Sequence, residues 1–389
     1  MSKQNAGKLV PLEGLRGIAA IIVMLGHLVR GLVPPGAGPL NALNLIHQWA
    51  LNGGAAVSVF FVLSGFILSL PFAKDQNWSR ILTALFKRWP RLAALTTIAC
   101  LFSWAMIMLS HGDYKQAAAI TSNDWMASHF NSPLHGRDTS WAAALRSGLY
   151  GVFLFGDVHF DSPLWTMRIE LFGSFAIFLI APILFWIGRW PLRLAAIGAV
   201  MLAAGLVPPV TFFSDFLVGT MLAMLYADHK FPDLSNWQAV IGGLAGVYLF
   251  CFSAGPATII EAPLKAALPD ASAAHFVWDV SAAVIIIVLL GNQSARHFFS
   301  KRWAVWLGRL SFPLYLLHVP IMLSVGAAIV IYTAGALGIA GAVLLAAAVT
   351  IGITLACALP LAWVDTAWTG ALRTMTGMLI KARPATEKS

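Results

Sequence analysis

The sequence predicts an all-α, polytopic membrane helix bundle of about ten transmembrane helices, with both termini in the cytoplasm. Three observations predict it. First, 59% of the 389 residues are hydrophobic and only 11% are charged, against roughly 25% charged in soluble domains. With a mean hydropathy of +0.78, the excess apolar surface needs a bilayer as its solvent. Second, the apolar residues come in long continuous runs. Membrane barrels instead alternate apolar and polar residues in blocks of about ten, so the runs select helices. Third, the cations are one-sided. With the N-terminus inside, 25 Lys+Arg sort to the cytoplasmic flanks except Arg30, Lys115, Arg137, Arg146 and Lys265 outside and Arg168 at an outer mouth. That bias sets orientation and requires an even number of spans.

Windows of about 20 apolar residues place spans in order at 9–32, 53–72, 92–110, 164–187, 192–208, 210–227, 237–254, 275–291, 311–333 and 337–364. The first holds Arg16 and His27 and has no A-x-A-type exit, so it is not read as a cleaved signal. The third follows Lys87-Arg88-Trp89-Pro90-Arg91, where Pro90 suits the first turn of a helix. The fifth is short, and Pro208-Pro209 marks its boundary with the sixth. Residues 303–310 read as an interfacial or re-entrant piece. The polar stretch 111–163 lies outside as a solvated loop with one amphipathic helix, or as a lid over an outward-facing substrate. Its His and Asp residues have no metal-site spacing. Cys100, Cys251 and Cys357 sit in apolar runs as small core residues. No internal repeat or second soluble domain is seen. One domain over 1–370 and a short basic cytoplasmic tail over 371–389 are expected. The net charge of +9 is mostly topology, so no nucleic acid is expected as a partner.

A charge at membrane depth is costly, so each one is a functional candidate. Arg16 and His27 are eleven residues apart, which puts them within about 20° on one helix face and about 16 Å apart along the axis. One stripe therefore carries a cation low and an imidazole high. The bland alternatives are a snorkelling arginine and a helix–helix hydrogen bond. Arg88 and Arg91 flank a cytoplasmic helix start, which suits phosphate binding; the alternative is ordinary flanking charge. Glu170 enters the fourth span from outside and is expected at the depth of His27, where a carboxylate would orient a general base. The alternative is a structural Glu170 contact, for which Arg168, two residues away, is poorly placed. Ser64-Gly65 allows close helix approach. His318 is read as shallow on the inner side of the ninth span, with a structural role.

Five motifs in order now resemble the integral-membrane acyltransferase type 3 family. They are Arg16 and His27 in LEGLRGIAAIIVMLGH, FFVLSGF at 60–66, Arg88-x-x-Arg91, the Trp165-Thr166…Glu170 entry, and Tyr315…His318. The likeness spans about 10–365. Two departures stand out. Ser58 occupies a position where many members carry Asp, and no SGNH-type hydrolase-like domain is expected after the last span.

The resemblance implies an acyltransferase of groups other than aminoacyl. It would be a stand-alone O-acetyltransferase moving an acyl group, most often acetyl, from cytoplasmic acyl-CoA to a sugar hydroxyl outside. Acetyl-CoA or another acyl-CoA is the expected donor, with no metal. A carbohydrate or glycolipid acceptor, the lipid bilayer and glycan-export machinery are the expected partners, and the inner membrane the expected location. His27 is expected to act as base or acyl carrier and Glu170 to orient it. Arg16, Arg88 and Arg91 would bind the donor. The rival class is a non-enzymatic transporter or flippase of a lipid-linked glycan.

Overall fold

The computed structural model describes residues 9–36, 38–129, 138–205, 211–251 and 270–381. His135, Pro208-Pro209, Lys265 and the last eight residues of the predicted tail lie outside these. Among the described residues every regular element is helical. In chain order they are α1 (Val10–Leu32), α2 (Asn41–Ala50), α3 (Gly53–Asp75), α4 (Trp78–Ser110), α5 (Asp113–Thr121), α6 (Asp124–Ala127), α7 (Trp141–Arg146) and α8 (Val152–Phe155). Then follow α9 (Trp165–Trp186), α10 (Trp190–Gly205), α11 (Phe213–Ala227), α12 (Asn236–Phe250), α13 (Asp270–Gly291), α14 (Gln293–Phe299), α15 (Arg302–Ile321) and α16 (Ala327–Lys381). Among the described residues six stretches are long and apolar enough to cross a bilayer: Val10–Leu32, Asn41–Asp75, Trp78–Ser110, Ser162–Trp186, Ala273–Gly291 and Arg302–Gly377. The chain is thus a multi-pass membrane protein.

Two helix starts differ from the sequence expectation. The helix expected from residue 92 begins at Trp78, because the Asn77 side chain accepts the Ser79 N–H and caps it. Pro90 therefore lies inside α4 rather than in its first turn. Having no N–H, it leaves an unpaired carbonyl one turn earlier, and its own carbonyl accepts the Trp368 indole N–H at 3.0 Å. Residues 303–310 form the first half of α15, not a separate piece. The last long stretch breaks at Gly338, whose φ of 68° and ψ of 167° interrupt α16; glycine tolerates that conformation without a Cβ clash. The same helix runs past residue 370 to Lys381.

The described residues of the stretch 111–163 are not all solvated loop: they include short helices with buried side chains. Tyr114, Ala117 and Met126 are buried, and so are Asp157, His159 and Asp161. Its second half packs on α4, where Thr96 Oγ1 donates to the Gly148 carbonyl at 2.8 Å and the Ser103 hydroxyl to the Phe160 carbonyl. Apolar residues Val152, Phe153 and Phe160 bury the segment into the bundle core, outweighing the polar composition that suggested water.

Two helix pairs are held by glycine. A Cβ on Gly65 of α3 would strike the Phe216 carbonyl of α11, and one on Gly219 would strike the Val62 carbonyl. Likewise a Cβ on Gly308 of α15 would meet the Glu13 carbonyl of α1, and one on Gly17 the Gly308 nitrogen at 2.6 Å. Small residues let backbones touch, which is how helices gain contact in lipid. The α3–α11 seam adds a buried Ser69–Thr220 hydroxyl pair at 2.8 Å.

Candidate active site

Between α1, α3, α4, α9 and α15 lies a cavity of about 120 Å³. Its polar wall is Arg16, Ser64, Arg88, Arg91, Thr166, Glu170 and Tyr315; its apolar wall includes Phe60, Phe61 and Met167. The structure thus brings Arg16, Arg88, Arg91 and Glu170 together from three helices. His27 is not part of this lining.

Arg88 and Glu170 form a desolvated ion pair, with side chains 8% and 13% exposed. Such a pair needs further hydrogen bonds to offset lost hydration, and it has them. Arg88 Nε donates to Ser174 Oγ at 2.7 Å, and Ser64 Oγ donates to Glu170 Oε1 at 2.7 Å. Glu170 consequently does not contact His27 as the sequence reading expected. A guanidinium from mid-α4 reaches the carboxylate instead, because α4 starts a full fourteen residues before the expected 92. Arg88 is equally changed: it lies buried against Glu170 rather than at a helix start open to phosphate. Arg16 is less tied, with Glu13 at 3.7 Å and a quarter of its side chain exposed (26%). Among the described residues no ion pair or hydrogen bond ties Arg91, and with three arginines to one glutamate the wall carries more cationic than anionic charge. Arg168 is exposed.

Tyr315 closes one side of the cavity. Its hydroxyl donates to the Pro163 carbonyl at 2.8 Å and lies 2.9 Å from Thr166 Oγ1. One turn on, the His318 ring lies 6.0 Å from the Tyr315 ring. His318 Nε2 is 2.7 Å from His27 Nδ1, and the two rings are nearly parallel at 18°. His318 is therefore not shallow at the inner end but level with His27 and buried, 1% exposed. On its other side His27 stacks on Trp125 of α6 at 5.6 Å. The Arg30 guanidinium sits 5.3 Å from that indole ring. His129 holds the same corner, hydrogen-bonded to the Trp125 carbonyl and the Ser162 hydroxyl. Burial, with the Arg30 charge adding to it, pushes the His129 imidazole below its ordinary value, although carbonyls of Trp125 and Met126 oppose this. Burial raises the Asp161 carboxyl well above the usual carboxylate range.

A second buried cluster was missed in the sequence. Asp215 of α11 accepts from, or pairs with, His275 Nε2 of α13 at 2.8 Å. Asp279 lies one turn below His275, within 4.8 Å of both, and accepts from the Ser214 hydroxyl. The signal was available: Asp215 and Asp279 are carboxylates inside predicted spans. Ser58, which stands where many relatives carry Asp, lies beside Asp215.

Comparison with known proteins agrees with these motifs. The profile of a family described as acyltransferase domain, of the type 3 class, matches residues 10–363. The O-acetyltransferase PaAT-1 of Phomopsis amygdali is 23% identical over 82% of this chain and 73% of its own length. Acyltransferase R4 of a Phoma species is 23% identical over 84% of this chain and 85% of its own. No solved structure matches the chain.

Proposed function

This chain belongs to the type 3 acyltransferase-domain family, and from that premise we propose a membrane O-acyltransferase that carries acetyl from acetyl-CoA to a carbohydrate hydroxyl across the bilayer. The observation that supports this is one helix, α1, with a guanidinium at one end and an imidazole at the other. Arg16 lines the cationic cavity, and His27, about 16 Å further along the axis, sits in a ring cluster beyond Tyr315. The excess of guanidinium in the cavity wall fits an anionic donor such as a CoA thioester, with Arg16 and Arg91 as its contacts. Glu170 and Ser64 are positioning residues, holding Arg88 in the wall.

Topology in this reading follows the cation bias. The short apolar helices α10 and α11, together with α12 and the two halves of the stretch broken at Gly338, bring the passes to ten. Both termini and the start of α1 then face the cytoplasm, and His27 faces the outer leaflet of the inner membrane. There the acceptor is a glycan or glycolipid on its way out, within reach of export machinery.

In the reaction the acceptor O–H breaks and His27 takes its proton. The oxygen lone pair attacks the thioester carbonyl, the C–S bond breaks, and the thiolate recovers a proton from His27. The cationic wall stabilises negative charge on the donor. The test is incubation of membranes containing the full chain with radiolabelled acetyl-CoA. Incorporation of label into the membranes' own glycans, with release of free CoA thiol, supports the proposal. Thiol release without a labelled glycan, or no release, overturns it.

A further inference from the structure

We infer that His318 is a positioning residue that fixes the tautomer of His27 and thereby leaves His27 Nε2 as the bare lone pair facing the acceptor hydroxyl. This rests on the base role of His27 proposed above.

The chain of inference begins at a backbone carbonyl. His318 Nδ1 lies 3.0 Å from the Leu314 oxygen, one helical turn back. A carbonyl only accepts, so that nitrogen carries the hydrogen. A neutral imidazole has one N–H, so His318 Nε2 is unprotonated. It lies 2.7 Å from His27 Nδ1, and two bare nitrogens would repel at that distance. His27 Nδ1 therefore donates. Neutral His27 then has no hydrogen left for Nε2, which is the form a general base needs. In the serine-protease triad a carboxylate sets the tautomer of the base; here an imidazole anchored on a helix carbonyl stands in the same relation.

The setting keeps the rings in register. His318 sits among buried neighbours in α15, with Tyr315 against it. Trp125 covers the other face of His27 at an interplanar angle of 11°. The other titratable or charged groups around His27 are Arg30 on its own helix, His47 of α2 and His129 after α6. Among the described residues no carboxylate is among these partners, and the hydrogen-bond chain ends on the neutral Leu314 carbonyl. When His27 Nε2 takes the acceptor proton, its Nδ1 proton has a bare nitrogen to move toward. The positive charge is then shared by two rings until the proton returns to the leaving thiolate.

The test compares His318→Leu with His318→Gln in the full-length protein. A glutamine amide oxygen reaches roughly where Nε2 was and accepts the same hydrogen; leucine does not accept. With radiolabelled acetyl-CoA and the membranes' own acceptor, His318→Leu should lower kcat about 100-fold with KM for acetyl-CoA unchanged. His318→Gln should recover to within about tenfold of wild type. Nitrogen-15 NMR of histidine-labelled wild type should show His27 protonated at Nδ1 and bare at Nε2. His318→Leu at the wild-type rate, or a proton on Nε2 in wild type, overturns the inference. If His318→Leu does not fold, the wild-type spectrum decides alone. If His27→Ala transfers normally, the base reading fails, and the spectrum still judges the tautomer separately.

Discussion

Two buried histidine clusters stand in this bundle, built on opposite plans. His275 is set between carboxylates, Asp215 at 2.8 Å and Asp279 one turn away, with Ser214 donating into the same group. Among the described residues His27 touches no carboxylate; its partner is a second imidazole that ends on a carbonyl. The carboxylate cluster ties α11 to α13 through the Asp215–His275 and Ser214–Asp279 contacts. An imidazole pair can pass a proton and remain bonded. The comparison teaches that His275 belongs to a network fixing α11 to α13, while His27 is held by a second ring with which it can exchange a proton. Arg88–Glu170 belongs with the fixing class, its four-group network joining α3, α4 and α9.

The sharpest break of this comparison is a crossed pair of variants. His27→Ala is expected to lower acetyl transfer by at least about 100-fold with unchanged melting in detergent. His275→Ala should instead cost about 1–3 kcal/mol of stability and spare the rate per folded molecule. Equal effects on both readouts would erase the distinction. Next in size, Arg88→Ala leaves Glu170 buried without its partner and should destabilise by about 3–5 kcal/mol. Adding Glu170→Gln should restore much of that loss, as measured by chemical denaturation. A third variant, Arg91→Ala, tests the open cation: a lost donor contact should raise KM for acetyl-CoA about tenfold at similar kcat. An unchanged KM would remove Arg91 from the donor site.

The smallest effect is in pH. The folded state holds the His129 imidazole below the value of about 6.5 of an unfolded chain. The unfolded chain therefore binds more protons as pH falls through that value, and stability declines on the acidic side. Melting at pH 5.5 should lie below that at pH 7.5. His129→Gln should flatten the difference; an unaltered slope would assign it to another group.

Depth was readable from the sequence and azimuth was not. Counting residues from a span end gives height at about 1.5 Å each, and so Arg16, His27 and Glu170 were found as charges at membrane depth. Partnership depends on which helices adjoin, and helix starts were misplaced where charge interrupted the apolar runs. Arg302 and Arg309 hid the first turns of α15, so His318 was set nine residues too shallow, about 14 Å of rise. Arg80 and Lys87 hid the first turns of α4, which put Arg88 at a helix start and left Glu170 to be matched with the wrong residue. The 111–163 stretch misled by composition, since His129, Asp157, His159 and Asp161 are buried while Val152, Phe153 and Phe160 pack into the bundle core.

The glycine seams have a mechanical consequence. Gly65 and Gly219 bring α3 and α11 into backbone contact, and Gly17 and Gly308 do the same for α1 and α15. At those points each pair has no room to separate its backbones by a side chain, so each behaves as one plank there. The cavity lies between the planks, with α1 and α15 on one side and α3 on the other. Widening it would mean shifting one glycine-sealed pair against the other, across the gap that α4 and α9 span.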